Sequence, residues 1–127
     1  MSIRILVMDD EETICRLMGL ILTRLGFECV AVPNGEEALK RHGEALRTEA
    51  PFAAVILDLN VREGMGGAET LEALRAVDPD VVAITMSGTR EALPGVKAVI
   101  GKPFRMADVE AALKQALTPQ AGAPSAP

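Results

Sequence analysis

The sequence predicts a doubly wound α/β fold, a parallel sheet covered by helices on both faces, and three observations lead there. Short apolar runs recur along the chain, each too short for a helix. Segments with a helical apolar period alternate with them, and the chemically active polar residues follow the runs rather than interrupting them. A strand buried on both faces is apolar throughout, and parallel neighbours need a crossover between them, usually a helix.

The first run, Ile3 to Met8 (IRILVM), ends in Asp9 and Asp10 and reads as a buried strand. Ile14, Leu17, Met18, Ile21, Leu22 and Leu25 then recur at helical spacing, which predicts a helix from about Glu11 to Leu25 closed by Gly26 at C′. Phe27 to Val32 is the second strand. After the turn Pro33-Asn34-Gly35, Glu36 and Glu37 open a second helix carrying Ala38, Leu39, Ala45 and Leu46, which ends before Pro51. Phe52 to Leu57 is the third strand and Gly64 to Gly67 a loop. Ala68, Leu71, Leu74 and Val77 mark a third helix, stopped at Asp78-Pro79. Val81 to Met86 and Ala98 to Ile100 are the fourth and fifth strands. A last helix follows Pro103, with Met106, Val109, Leu113, Ala116 and Leu117 inward, and the uncharged, proline-rich stretch 118–127 reads as a disordered tail after a domain of residues 1–117.

Composition excludes several classes of function. Thirteen basic against eighteen acidic residues give a formal charge of −5 without a Lys/Arg cluster, so direct nucleic-acid binding is not expected. No run approaches the ~18 to 20 apolar residues of a membrane span. Strand-like sequence follows Met1 at once, and the chain reads as cytoplasmic. Cys15 and Cys29 have none of the spacings that bind zinc and read as buried free thiols. His42, the only histidine, reads as a solvated side chain on the second helix rather than a phosphocarrier.

In doubly wound sheets ligands gather beyond the carboxyl ends of the strands. Asp9 and Asp10 follow the first strand, Asp58 ends the third (VILDLN), Ser87 follows the fourth and Lys102 follows the fifth. All five should meet at one edge. Crowded carboxylates repel unless a cation joins them, and Mg²⁺ fits best because it takes one or two carboxylates and leaves positions for phosphate oxygens. A carboxylate can accept a phosphoryl group as an acyl phosphate when the oxygens of that group are neutralised, here by Mg²⁺, Lys102 and the Ser87 hydroxyl. Asp9 or Asp10 could instead cap the first helix, and Ser-Gly at 87–88 could be ordinary loop chemistry.

Taken together, ILVMDDEE, VILDLN, ITMSG and IGKPF resemble the receiver domain of two-component response regulators over about residues 3 to 117. The resemblance implies a flavodoxin-like strand order 2-1-3-4-5. It makes Asp58 the phosphoacceptor, Asp10 and Asp58 metal ligands, Asp9 an outer ligand through water, and Asn60 a ligand through its backbone carbonyl. Ser87 and Lys102 would hold the phosphoryl oxygens, and Thr89 stands where receivers often tune hydrolysis of the acyl phosphate. The donor would be a histidine kinase or phosphotransfer protein, with output through a further protein partner. The loop NVREGMGG looks most like receivers attached to hybrid histidine kinases, although Arg62 replaces a common proline.

Two departures stand out. Only ten residues, Gly88 to Lys97, separate Ser87 from Ala98, where a crossover with its helix needs at least ~10 to 12. The fourth helix should therefore be short or absent. Val99 stands where receivers often carry an aromatic that rotates with the Ser/Thr hydroxyl. Both departures favour a second reading, a pseudo-receiver that binds partners without a phosphorylation cycle. A Mg²⁺-dependent phosphohydrolase of the haloacid dehalogenase type is a third, although its D-x-D pattern is missing at Asp9-Asp10-Glu11.

Overall fold

The computed structural model describes residues 2–62, 64–89 and 92–118. The elements are β1 (Ile3–Met8), α1 (Glu12–Arg24), β2 (Phe27–Val32), α2 (Gly35–Leu46), β3 (Phe52–Asp58), α3 (Gly67–Val77), β4 (Ala83–Ser87), β5 (Ala98–Gly101) and α4 (Met106–Leu117). All strand pairs are parallel and the order is β2-β1-β3-β4-β5, the doubly wound arrangement expected. The winding reverses between β1 and β3, which places the ligand crevice at their carboxyl ends. The expected tail lies outside the described residues from 119 onward.

Side-chain alternation along the central strands splits the core in two. Ile5 and Val7 of β1, Ile56 of β3 and Ile84 of β4 meet Met18, Ile21 and Leu22 of α1 and Val109 and Leu113 of α4. Leu6, Met8, Val55 and Leu57 face the other way, onto Ala38 and Ala45 of α2 and Leu71 and Leu74 of α3. Gly26 ends α1 with φ +94°, as a C′ glycine does. Asn34 caps α2, its side chain accepting from the Glu37 N–H at 2.9 Å.

Several stripe positions lie outside the core. Leu17, Leu46, Val77 and Met106 are exposed, as is Ala68, because the buried stripe of each helix is narrower than its apolar sequence. The fourth strand begins two residues later than expected. Val81 N–H instead turns back to the Asp78 carbonyl at 3.0 Å, while the Val82 carbonyl accepts from Val55 at 2.9 Å.

Among the described residues no helix lies between β4 and β5, as the short spacing required. The connection is tied down by Lys97 N–H on the Ala83 carbonyl at 2.8 Å and by Arg75 Nη2 of α3, which donates to the Pro94 carbonyl. Leu93 and Val96 pack against the α2/α3 side of the core. Val99, paired with Thr85, is half-buried.

Two expectations are corrected here. Cys15 and Cys29 are free but half-buried rather than buried. His42 is not solvated: it is 1% exposed, with Nε2 2.8 Å from Asp78 Oδ2 and its ring offset-stacked on Phe52, centroids 6.3 Å apart. The Arg4 guanidinium lies 4.5 Å from the centre of the same Phe52 ring. Phe52 opens β3 at the end opposite Asp58, so His42 is remote from the carboxyl ends of the strands, as expected of a residue outside the chemistry. Its role is packing. His42→Ala should lower the free energy of unfolding by about 2–4 kcal/mol, read by urea denaturation, because it empties a core position and removes the partner of Asp78 Oδ2.

Candidate functional site

Parallel register brings the chemical residues to one edge. Met8 is level with Leu57, Asp58 with Met86, and Ser87 with Gly101, so Asp9, Asp58, Ser87 and Lys102 stand at or just past the ends of adjacent strands. Backbone bonds extend the register one step further: Asp9 N–H to the Val32 carbonyl at 3.1 Å, Leu59 to Met86 at 2.9 Å and Lys102 to Ser87 at 2.8 Å.

Asp9, Asp10 and Asp58 each present a carboxylate oxygen within 4.8 Å of the others. Asp9 and Asp58 are 1% exposed and Asp10 is half-buried. The Lys102 ammonium donates to Asp9 Oδ2 at 3.0 Å and to Asp58 Oδ1 at 3.2 Å, with Glu11 Oε1 at 3.9 Å. Backbone donors hold the same carboxylates: Glu11 N–H on Asp9 Oδ1 at 2.8 Å, Asn60 N–H on Asp58 Oδ1 at 3.1 Å and Arg62 N–H on Asp10 Oδ2 at 3.0 Å. Neither Asp9 nor Asp10 is the cap of α1. Glu11 takes that position, without a side-chain capping bond.

Burial and charge together shift two of these groups. Burial pushes the Asp58 carboxyl above its ordinary value, the Asn60 N–H pulls it back, the Asp9 charge raises it again and Lys102 lowers it, for a net upward shift. For Lys102, burial alone disfavours the charged form. The hydrogen bond to Asp9 and the charges of Asp58 and Asp9 outweigh that and hold the ammonium above the ordinary lysine value. Three carboxylates against one ammonium leave two negative charges, and the donors are all oxygens. That set fits a hard divalent cation.

Of the remaining expected residues, Ser87 is buried at the end of β4, and its Oγ lies 3.3 Å from Oγ1 of the exposed Thr89. Asn60 is exposed, in the turn directly after Asp58. Val99 sits inside β5 rather than at the carboxyl edge. Sequence reasoning missed two contributors. Arg62, noted only as a departure from a pattern, supplies a backbone donor to Asp10 from 52 positions away. Cys15 Sγ donates to the Asp9 carbonyl at 3.3 Å, one turn into α1, a contact that no spacing rule marks.

A family model described as the response regulator receiver domain matches residues 5–114. The chain belongs to the response regulator receivers. This receiver is 30% identical over 124 residues to a probable chemotaxis protein CheY of Rhizobium etli, covering 89% of this chain and 91% of that one. It is 33% identical over 123 residues to the transcriptional regulatory protein PrrA of Mycobacterium leprae, covering 91% of this chain and 50% of that regulator. The receiver spans about half the length of the transcriptional regulators it matches. Among solved structures it resembles a sensor protein from Polaromonas, with TM-score 0.78, 27% identity, and 91% of this chain and 95% of that one covered. It shares its fold, at TM-score 0.76 and 20% identity, with the receiver domain of a Pseudomonas aeruginosa sensor histidine kinase, covering 92% of this chain and 98% of that one. That domain has a magnesium ion coordinated in its active-site cleft. No described helix is long and apolar enough to cross a membrane.

The direction of each shift fixes the pH dependence. A carboxyl raised on folding favours the native state as pH falls, so ionised Asp58 costs stability at neutral pH. In metal-free buffer at pH 7, Asp58→Asn should raise the midpoint of thermal unfolding by a few degrees. That gain should shrink as the buffer is acidified and Asp58 of the wild type takes up its proton. Lys102, raised on folding, contributes stability that is complete below the ordinary lysine value of ~10.4 and is lost as pH climbs through its folded value. A pH series of melting curves reads both arms.

Proposed function

We propose that this receiver takes a phosphoryl group from a phosphohistidine donor onto Asp58, and that the carboxylate cluster is the observation that carries the reading. In the transfer, an Asp58 carboxylate oxygen attacks phosphorus and the P–N bond breaks. The electron pair of that bond returns to the donor imidazole, leaving an acyl phosphate on Asp58. In the reverse half of the cycle water attacks the same phosphorus, the bond to Asp58 breaks, and inorganic phosphate leaves.

Asp10, Asp58 and the Asn60 backbone carbonyl would hold Mg²⁺ directly, with Asp9 reaching it through water. When bound, the ion neutralises charge on the transferring oxygens. The protein's own groups do the rest. The β3 terminus fixes Asp58, whose nearest ammonium is already 3.2 Å away, so an oxygen of the arriving group finds Lys102 in place without a search. Ser87 offers a hydroxyl from the adjacent strand end, and Thr89 stands beside it at the mouth. Receivers are phosphorylated by histidine kinases or phosphotransfer proteins, and a protein of that kind is the proposed donor. Residues 1–117 form the phosphoacceptor unit in this reading. The cytoplasm, where such donors present their phosphohistidine, is the proposed location.

The β4–β5 connection favours a specific variant of this function. In the described part of that connection no helix stands between Ser87 and β5, and Val99 supplies no rotating aromatic. Uptake at Asp58 is therefore retained while its readout differs from that of receivers with a full fourth helix. The pseudo-receiver reading rests on the same segment, and uptake separates the two. Incubation with acetyl phosphate and Mg²⁺ should add about 80 Da, one phosphoryl group, to the intact mass. Asp58→Asn should abolish that addition. Lack of uptake by the wild type, or equal uptake by the variant, removes Asp58 from the role.

A further inference from the structure

We infer that the first turn of α2, through Gly35 and Glu36, is a latch that positions the β3–α3 loop and so sets the affinity of the carboxylate cluster for a divalent cation. The inference rests on the receiver reading of that cluster and adds residues outside it. The described parts of the loop are residues 59–62, with Asn60 and Arg62, and residues 64–66, ending at Gly66, the cap of α3. At its front the Asn60 and Arg62 N–H groups bond Asp58 and Asp10. Those bonds hold the loop only by occupying oxygens of the cluster itself.

At the back the loop is held by something else. Both backbone groups of Met65 are engaged by α2: Glu36 Oε1 accepts from the Met65 N–H at 3.0 Å, and the Gly35 N–H donates to the Met65 carbonyl at 3.1 Å. Thr70 Oγ1, fully buried at the start of α3, donates to the same carbonyl at 3.5 Å. The approach is close enough to forbid side chains. A Cβ on Gly35 would lie 1.9 Å from Thr70 Oγ1 and 2.7 Å from the Met65 carbonyl oxygen. Gly64 has φ +79°, and a Cβ there would meet Glu36 Oε1 at 2.8 Å. The Met65 N–H in turn holds the exposed Glu36 carboxyl below its ordinary range.

The latch is anchored in the core. Asn34 caps α2 and Ala38, one turn on, is fully buried, so Glu36 and Gly35 transmit the position of a packed helix to the loop at Met65, where Thr70 adds only a long 3.5 Å bond. Mg²⁺ selects for oxygen ligands already near octahedral positions, and a loop that must be ordered on binding lowers affinity. Glu36 touches no member of the cluster. It is a positioning residue.

The test is titration with Mn²⁺, a hard oxygen-seeking substitute for Mg²⁺, followed by the paramagnetic resonance signal of the free ion. It uses the full chain as wild type, Glu36→Ala and Glu36→Gln. Glu36→Ala should weaken binding by roughly three- to tenfold, the loss of one charge-assisted hydrogen bond, while the metal-free melting temperature hardly moves. It should also speed amide exchange at Met65 and Arg62 in the metal-free protein. Glu36→Gln should recover most of the affinity, since its Oε1 can still accept from Met65. Unchanged affinity in Glu36→Ala overturns the latch alone, and equal weakening in both variants assigns Glu36 a distant charge effect and also overturns it. Failure of the wild type to bind Mn²⁺ overturns the receiver reading of the cluster and the latch with it.

Discussion

The Lys102 ammonium lies 3.0 Å from Asp9 and 3.2 Å from Asp58, two carboxylates that are almost fully buried. Without it, two like charges would share a site largely withdrawn from water at a cost that burial makes severe. The fold is arranged so that this ammonium can arrive. Lys102 is 93 positions from Asp9 in the chain and 44 from Asp58, yet it follows the strand beside Ser87. Parallel register, with every strand ending at the same edge, makes that convergence automatic. The remaining two negative charges are the reason the site calls for a divalent ion rather than a second lysine.

Compensation is deliberately incomplete, and that incompleteness is what links structure to function. Asp58 keeps a raised carboxyl because the groups that lower it, the Asn60 N–H and Lys102, do not fully offset burial and Asp9. A more complete neutralisation by protein groups would stabilise the domain and leave less negative charge to attract a cation. Strain of this electrostatic kind is characteristic of sites that do chemistry.

The strands, the sheet and the edge that carries the site were legible in the sequence because each rests on local pattern. IRILVM, FAAVIL, AITM and AVI are predominantly apolar, and Asp9, Asp58 and Ser87 fall directly after the first three while Lys102 follows the fourth across Gly101. What was illegible depends on partners far apart in sequence. His42 was read as solvated because its partner Asp78 is 36 positions away. Its spacing from Ala38 and Ala45, both buried, is nonetheless that of one helical face, and that signal could have found it. Leu17 and Met106 were read as core from the same periodicity, yet each lies beyond the edge of the buried stripe. Periodicity identifies a face but not its width. The Glu36–Met65 bond joins the first turn of α2 to the β3–α3 loop, and neither sequence carries a reciprocal mark.

The connection between β4 and β5 shows how a missing element redistributes contacts. A crossover helix would cover the α2/α3 side of the sheet beside β5. Here Leu93 and Val96 supply that cover from an irregular segment, and Arg75 of α3 reaches across to the Pro94 carbonyl. The connection that follows Ser87 and Thr89 is consequently fastened to α3 at Pro94, and α3 also begins at the end of the β3–α3 loop. The carboxyl edge of the sheet is therefore tied to α3 by two routes, through the strap at Arg75 and through the loop at Gly66. The two routes converge on a single helix, which makes α3 the element whose position both ends of the site constrain.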